Sequence, residues 1–115
     1  MIANAQTFNW DKNNPEHLED YAIYVASREG ASVQDIVNTL RCESNFNWKA
    51  WNKGDPNDGS KSVAQFQDKT FYGFAKEYNL WNPDIWNPFQ QINLMVYMVR
   101  DGLGSHWTCY RSLYL

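Results

Sequence analysis

The sequence predicts a mainly α-helical domain with a central buried helix and a long polar loop. Three observations carry that prediction. Asn14-Pro15 and Asn87-Pro88 have the form of helix starts, an Asn cap with Pro in the first turn. Apolar residues then recur at spacings of three and four. No alternation of apolar and polar residues runs long enough to mark a strand. The 115 residues suit a single domain, 1–115, with one core. A content of 43% hydrophobic and 20% charged residues makes that domain folded rather than disordered.

Residues 1–13 are polar and patternless and read as an extended lead-in. From Asn14, the positions Leu18, Tyr21, Ala22 and Val25 give a helix one apolar face, and Gly30 closes it. Ser32 caps the next helix, with Asp35 three residues on in an approximate capping box, and Val33, Ile36, Val37 and Leu40 form its stripe. Residues 45–61 are a loop dense in turn formers, from Asn52 and Gly54 through Asp55-Pro56 to Asp58-Gly59. Asp68 is read as the cap of a helix reaching about Tyr78, with Phe71, Phe74, Ala75 and Tyr78 inward. Residues 79–86 form a loop. From Pro88 to about Asp101 runs the most apolar helix, the central one, carrying Phe89, Ile92, Met95, Val96 and Val99 on one face. Gly102 and Gly104 stop it, and Ser105 is read as the cap of a short last helix.

Charge and composition narrow the function. A net charge of −3 argues against nucleic acid as partner, since phosphates call for a basic patch. No run of 18 apolar residues is present, so no membrane span is expected. The start, MIANAQTFNWDKNN, lacks a basic segment followed by an apolar one. That leaves a trimmed leader or another export route. Aromatics reach 17%, including six Trp. Filling a small core is their ordinary use, and lining a carbohydrate cleft is the alternative for residues such as Trp48 and Trp51 beside the polar loop.

Cys42 and Cys109 lie 67 positions apart and are either two buried thiols or a disulfide. With His17 and His106 as the remaining soft ligands, the close-paired spacing of a zinc module is missing. Asp55, Asn57 and Asp58 miss the calcium-loop spacing by one residue, and Phe66 stands where the last acidic ligand would fall. Neither a metal nor a cofactor is expected.

Glu43 has the most chemical promise. Helical spacing puts it at the border of the stripe that Val33 to Leu40 define, near the helix C-terminus. Partial desolvation and the negative end of the helix dipole both favour the protonated carboxyl, which a general acid needs. The ordinary alternative is a solvated glutamate at a helix end.

Glu43-Ser44, then Ala50 and the Gly/Asn/Asp loop, then Ser62-Val63-Ala64-Gln65-Phe66 and Thr70-Phe71 stand in a characteristic order. Together they resemble the soluble lytic transglycosylase type of domain, in the lysozyme-like superfamily and related to goose-type lysozyme. The resemblance covers roughly residues 33–109. It departs from the family pattern at Ser62, where Gly is usual, at Val63-Ala64 for Leu-Met, and at Asp68 for Pro. What it implies is a lysozyme-like helical fold and cleavage of the bond between N-acetylmuramic acid and N-acetylglucosamine in peptidoglycan. Glu43 would be the catalytic residue. Ser44, Gln65, Asn93 and Tyr110 would be substrate-binding, with local capping or loop support as the alternative for Ser44 and Gln65. Asp55 and Asp58, and also Asp68, are candidates for a second carboxylate. The expected partner is a glycan strand of the cell wall, met by a monomer in the periplasm, outside the cell or by phage delivery. A hydrolytic lysozyme or phage endolysin, a non-catalytic glycan-binding module and a structural part of a larger assembly are the other readings.

Overall fold

Three helix starts in this chain sit where a side chain accepts from otherwise unpaired N–H groups. The computed structural model describes residues 9–115. The first part of the expected lead-in, residues 1–8, lies outside the described residues. Its last part is a turn closed by the Asn14 N–H donating to Asp11 O at 3.0 Å. Asn14 Oδ1 then accepts from Glu16 N, and helix α1 runs Pro15–Glu29. Gly30 ends it at φ 73°, a left-handed conformation that costs glycine little. Ser32 Oγ accepts from Asp35 N at 3.3 Å and opens α2, Val33–Ser44. The strongest cap is Asn87, whose Oδ1 accepts from both Phe89 N and Gln90 N at the start of α4, Pro88–Arg100.

Helix α4 is the central element. Ile92, Leu94, Met95, Val96 and Met98 are fully buried, packed with Leu18, Ala22 and Val25 of α1 and Ile36 and Leu40 of α2 in one core. Each such side chain contributes about 1.5–3 kcal/mol on leaving water. Phe89 and Val99 are partly buried at its margin. Asn93, on the same helix, accepts from the Tyr21 hydroxyl at 2.7 Å and so joins α4 to α1.

The loop of residues 45–61 and the segment that follows it, to Gln67, contain structure that the sequence did not suggest. Three two-residue strands, β1 (Trp51–Asn52), β2 (Ser60–Lys61) and β3 (Phe66–Gln67), form an antiparallel sheet in the order β1-β2-β3. Such strands are too short for alternation to be visible. Before them, Asn45 and Phe46 both have positive φ, 53° and 59°, which turns the chain sharply off α2. Phe46 is buried, and that burial offsets the backbone strain.

Two expected caps are corrected. Helix α3 is Asp68–Glu77 and its cap position is Gln67, so Asp68 lies inside the first turn. Its carboxylate is drawn sideways to the Lys61 ammonium, at 2.9 and 3.1 Å. Ser105 caps nothing. It sits in a 3-10 turn, Gly104–His106, that precedes α5, Thr108–Tyr114. Gly104 is buried there under the Tyr110 ring, where an added Cβ would lie 2.6 Å from ring carbons. Inside α3, Phe71 and Ala75 are buried as expected, while Phe74 and Tyr78 are partly buried.

Cys42 and Cys109 form a disulfide, with Cα atoms 6.0 Å apart. It ties the last turn of α2 to the first turn of α5. No described helix is long and apolar enough to cross a membrane.

Candidate functional site

The last turn of α2 brings Glu43 to the edge of a cleft of about 650 Å³. One wall comes from the small sheet. Its register places Asn52 opposite Ser60 and Ser60 opposite Gln67, and this row of three polar residues lines the cleft. Strand alternation sends the other row, Trp51 and Lys61, the opposite way. The sheet therefore shows a row of polar side chains to the cleft and holds Lys61, with the Trp51 indole, behind it, while Phe66 of that other row also reaches the lining. The facing wall is the segment from His106 to Cys109 that leads into α5, and Thr70 of α3 adds to the lining.

Glu43 is half-buried, and its Oε2 accepts from the backbone N–H of Cys109 at 3.3 Å. Burial raises its pKa above the ordinary 4.5. The Cys109 N–H and the Arg111 guanidinium act against that shift, and the Asp55 carboxylate adds to it. Burial is the largest influence, so the proton is held more tightly than on a solvated glutamate. Asp55 reaches the same cleft from the loop, and its Oδ2 accepts from the Ser60 hydroxyl at 2.6 Å. His106 is exposed overall, but its ring lies against Phe74 and Trp107. That burial and the nearby Arg111 lower its pKa, so a neutral imidazole faces the cleft at neutral pH.

Between β2 and β3 the chain makes a tight turn that carries Gln65 into the cleft. Ser62 and Gln65 have positive φ, 64° and 54°. The turn keeps this unfavourable backbone because it is tied down on several sides. Ser44 Oγ donates to Val63 O at 2.7 Å, and Trp107 Nε1 donates to Ala64 O at 2.9 Å. Gln91, fully buried on α4, accepts from Ala64 N and donates to Lys61 O and Ile85 O. The Gln65 amide itself donates to Ser62 O at 2.8 Å and Ala50 O at 3.3 Å.

Of the residues singled out from the sequence, Glu43, Gln65, Thr70, Asp55 and Cys109 meet in the cleft. The others are placed elsewhere. The Ser44 hydroxyl is spent on Val63 O and supports the turn. Asn93 is spent on Tyr21, between α1 and α4. Tyr110 packs on Gly104. Asp58 pairs with Lys61 Nζ at 3.0 Å and Asp68 with the same ammonium at 2.9 Å, and neither is part of the cleft lining. Trp48 and Trp51 are outside the cleft lining, with Trp51 Nε1 donating to Asp58 O at 2.9 Å. Among the described residues, no group of three His, Cys, Asp or Glu side chains is arranged to hold a metal ion. Asn52, Ser60, Gln67, His106 and Thr108 line the cleft without having been named as catalytic or substrate-binding residues. The signal for the first three was a strand register that two-residue strands do not reveal.

The arrangement offers one carboxyl whose pKa burial raises, one carboxylate bonded to a hydroxyl, and amide and hydroxyl groups on the walls. Those groups suit protonation of an ether-type oxygen in a polar, polyhydroxylated substrate. In comparisons with known proteins, no family model, no curated protein and no solved structure matches the chain.

Proposed function

We propose that this domain cleaves peptidoglycan as a lytic transglycosylase, with Glu43 as its single catalytic acid and base. The observation that carries the reading is Glu43 itself, a half-buried carboxyl in a polar cleft whose burial raises its pKa. The order of Glu43-Ser44, Gln65 and Thr70 along the chain, given above as a family resemblance, supports it.

Protonated Glu43 donates to the glycosidic oxygen between N-acetylmuramic acid and N-acetylglucosamine as that bond breaks. The substrate's N-acetyl oxygen stabilises the positive anomeric carbon, a substrate-assisted form of glycoside cleavage. The Glu43 carboxylate then takes the proton from the sugar's own 6-hydroxyl, which closes a 1,6-anhydro ring. Gln65 and the row Asn52, Ser60 and Gln67 offer hydrogen bonds to the glycan on one side, and His106 and Thr108 on the other. The enzyme acts on glycan strands of the cell wall as a monomer and needs no cofactor.

One observation favours a second reading, hydrolysis by a lysozyme-type route. Asp55 shares the cleft with Glu43 and could direct a water in place of the 6-hydroxyl. Digestion of purified peptidoglycan followed by mass spectrometry separates the two: anhydro ends select the transglycosylase, and reducing ends the lysozyme. Full activity of Glu43→Gln would exclude both. Binding to cell walls with no fragments released would select a glycan-binding module.

A further inference from the structure

The disulfide begins at Cys42, one residue before Glu43, and ends at Cys109, whose backbone N–H donates to the Glu43 carboxylate at 3.3 Å. A single covalent link therefore frames both partners of the hydrogen bond. Helix α5, which starts beside Cys109, has no buried residue of its own. Its anchors flanking the bridge are Trp107, buried and bonded to Ala64 O, and the Tyr110 ring on Gly104. Its far end touches α2 through the Tyr114 hydroxyl, which accepts from Asn38 at 3.1 Å and donates to Gln34 O at 3.5 Å on the exposed surface. Arg111 bonds within its own segment, to Ser105 O and Thr108 Oγ1. The core of α1, α2 and α4 draws on none of these residues except Trp107 and Tyr110.

We infer that the Cys42–Cys109 bridge is a positioning element for Glu43, and that its reduction by a dithiol disables the site while the helical core stays folded. Cys42 is exposed and Cys109 half-buried, so a dithiol can reach the bridge. The dithiol supplies two electrons and two protons. The bond between the two Sγ atoms breaks to give two thiols, and the dithiol closes to its own disulfide. Released from α2, the first turn of α5 moves off Glu43 and takes with it the Cys109 N–H, the Arg111 charge and part of the cover that desolvates the carboxyl. Asp55, on the loop, remains.

The effect on lysis rests on the function proposed above; the effect on Glu43 does not. The protein is reduced with dithiothreitol at room temperature, and both thiols are verified by alkylation and mass. The titration of the Glu43 carboxyl is followed by carbon-13 NMR, exchange of the Cys109 amide by proton NMR, helix content by circular dichroism, and lysis of purified cell walls by turbidity. The expected result is retained helix content, a Glu43 titration displaced toward that of an ordinary glutamate, and Cys109 exchange faster by about tenfold or more. Lysis falls by about tenfold or more. The double variant Cys42→Ser with Cys109→Ser gives the same result without reductant. An unmoved Glu43 titration in the reduced protein overturns the inference, whatever happens to lysis. Loss of the helical signal on reduction overturns it too, because the bridge would then be holding the fold and not the site. A moved titration in a protein inert in both redox states supports the positioning role and removes the proposed cleavage.

Discussion

Gln91 accepts from the Ala64 N–H through its Oε1 at 2.9 Å, and both residues have no exposed surface. The same amide donates to Lys61 O at 2.9 Å and Ile85 O at 2.7 Å. One side chain on the central helix thus satisfies the backbone of the turn that carries Gln65 and of the loop leading into α4. Gln91→Leu keeps the volume and leaves three buried backbone groups without this partner. The expected loss is about 3 kcal/mol or more of unfolding free energy. Urea denaturation checks it, as a lower midpoint with an unchanged slope.

Ser62 stands in the left-handed region at φ 64°, and its buried hydroxyl has no hydrogen-bond partner in the protein. Ser62→Gly removes both costs and adds the larger chain entropy of glycine in the unfolded state. The net expectation is a gain of about 1 kcal/mol, read as a higher melting temperature.

For Glu43 the folded-state pKa is raised above 4.5. Folding then favours the protonated form, and the stability it contributes is complete below pH 4.5 and lost as pH rises through the folded value. Glu43→Gln, which cannot ionise, is therefore more stable than the wild type at neutral pH and close to it in acid. Thermal melts of the two proteins across pH 3–8 measure the difference. An advantage that grows toward acid would contradict the burial argument.

Asp55 raises the Glu43 pKa through its charge. Asp55→Asn lowers it, so the alkaline limb of the lysis profile, where the acid loses its proton, moves to lower pH. The peak rate stays within about tenfold if Glu43 acts alone. A fall of about a hundredfold or more, with reducing ends among the products, would assign Asp55 to water activation.

Reduction of Cys42–Cys109 reopens a link spanning 67 positions. Chain entropy puts the cost at about 4 kcal/mol, or roughly 15 °C in melting temperature for a chain of this size. Scanning calorimetry with and without reductant tests this. Equal melting temperatures would mean that strain in the bridge cancels its entropic benefit.

The helices were legible in the sequence wherever a local rule decides the outcome. Asn14, Ser32 and Asn87 cap because a short polar side chain before an apolar stripe has few better partners than the free N–H groups beside it. Asp68 looked the same and failed, since Lys61, seven positions earlier, offers its carboxylate a charge. Ser105 failed because it lies inside the 3-10 turn Gly104–His106, and the cap position of the following helix falls on Trp107. Of the site, helical phase placed Glu43 at the border of the core, and the order of Glu43-Ser44, Gln65 and Thr70 singled it out from an ordinary glutamate at a helix end. Asn93 and Tyr110 could not be placed, because a polar side chain near a helix face serves a neighbouring helix as readily as a substrate. Asp55 and Asp58 were indistinguishable in the loop; Ser60 and Lys61, adjacent residues on opposite faces of β2, separate them. Gln91 was hidden within an apolar helix because its partners are backbone groups far along the chain.

The three-strand sheet has a consequence for how this loop can change. Asn52, Ser60 and Gln67 share a row, and Trp51, Lys61 and Phe66 share the next. A slip of one residue between β1 and β2 would exchange their faces, turning an indole toward Glu43 and an amide toward Lys61. Insertions at the tip leave the cleft intact where Asn52 still meets Ser60 and Asp55 keeps its bond to the Ser60 hydroxyl. Diversity in this segment is thus constrained in pairing and at Asp55, and a chain with a longer tip could extend the cleft wall without altering the groups that face Glu43.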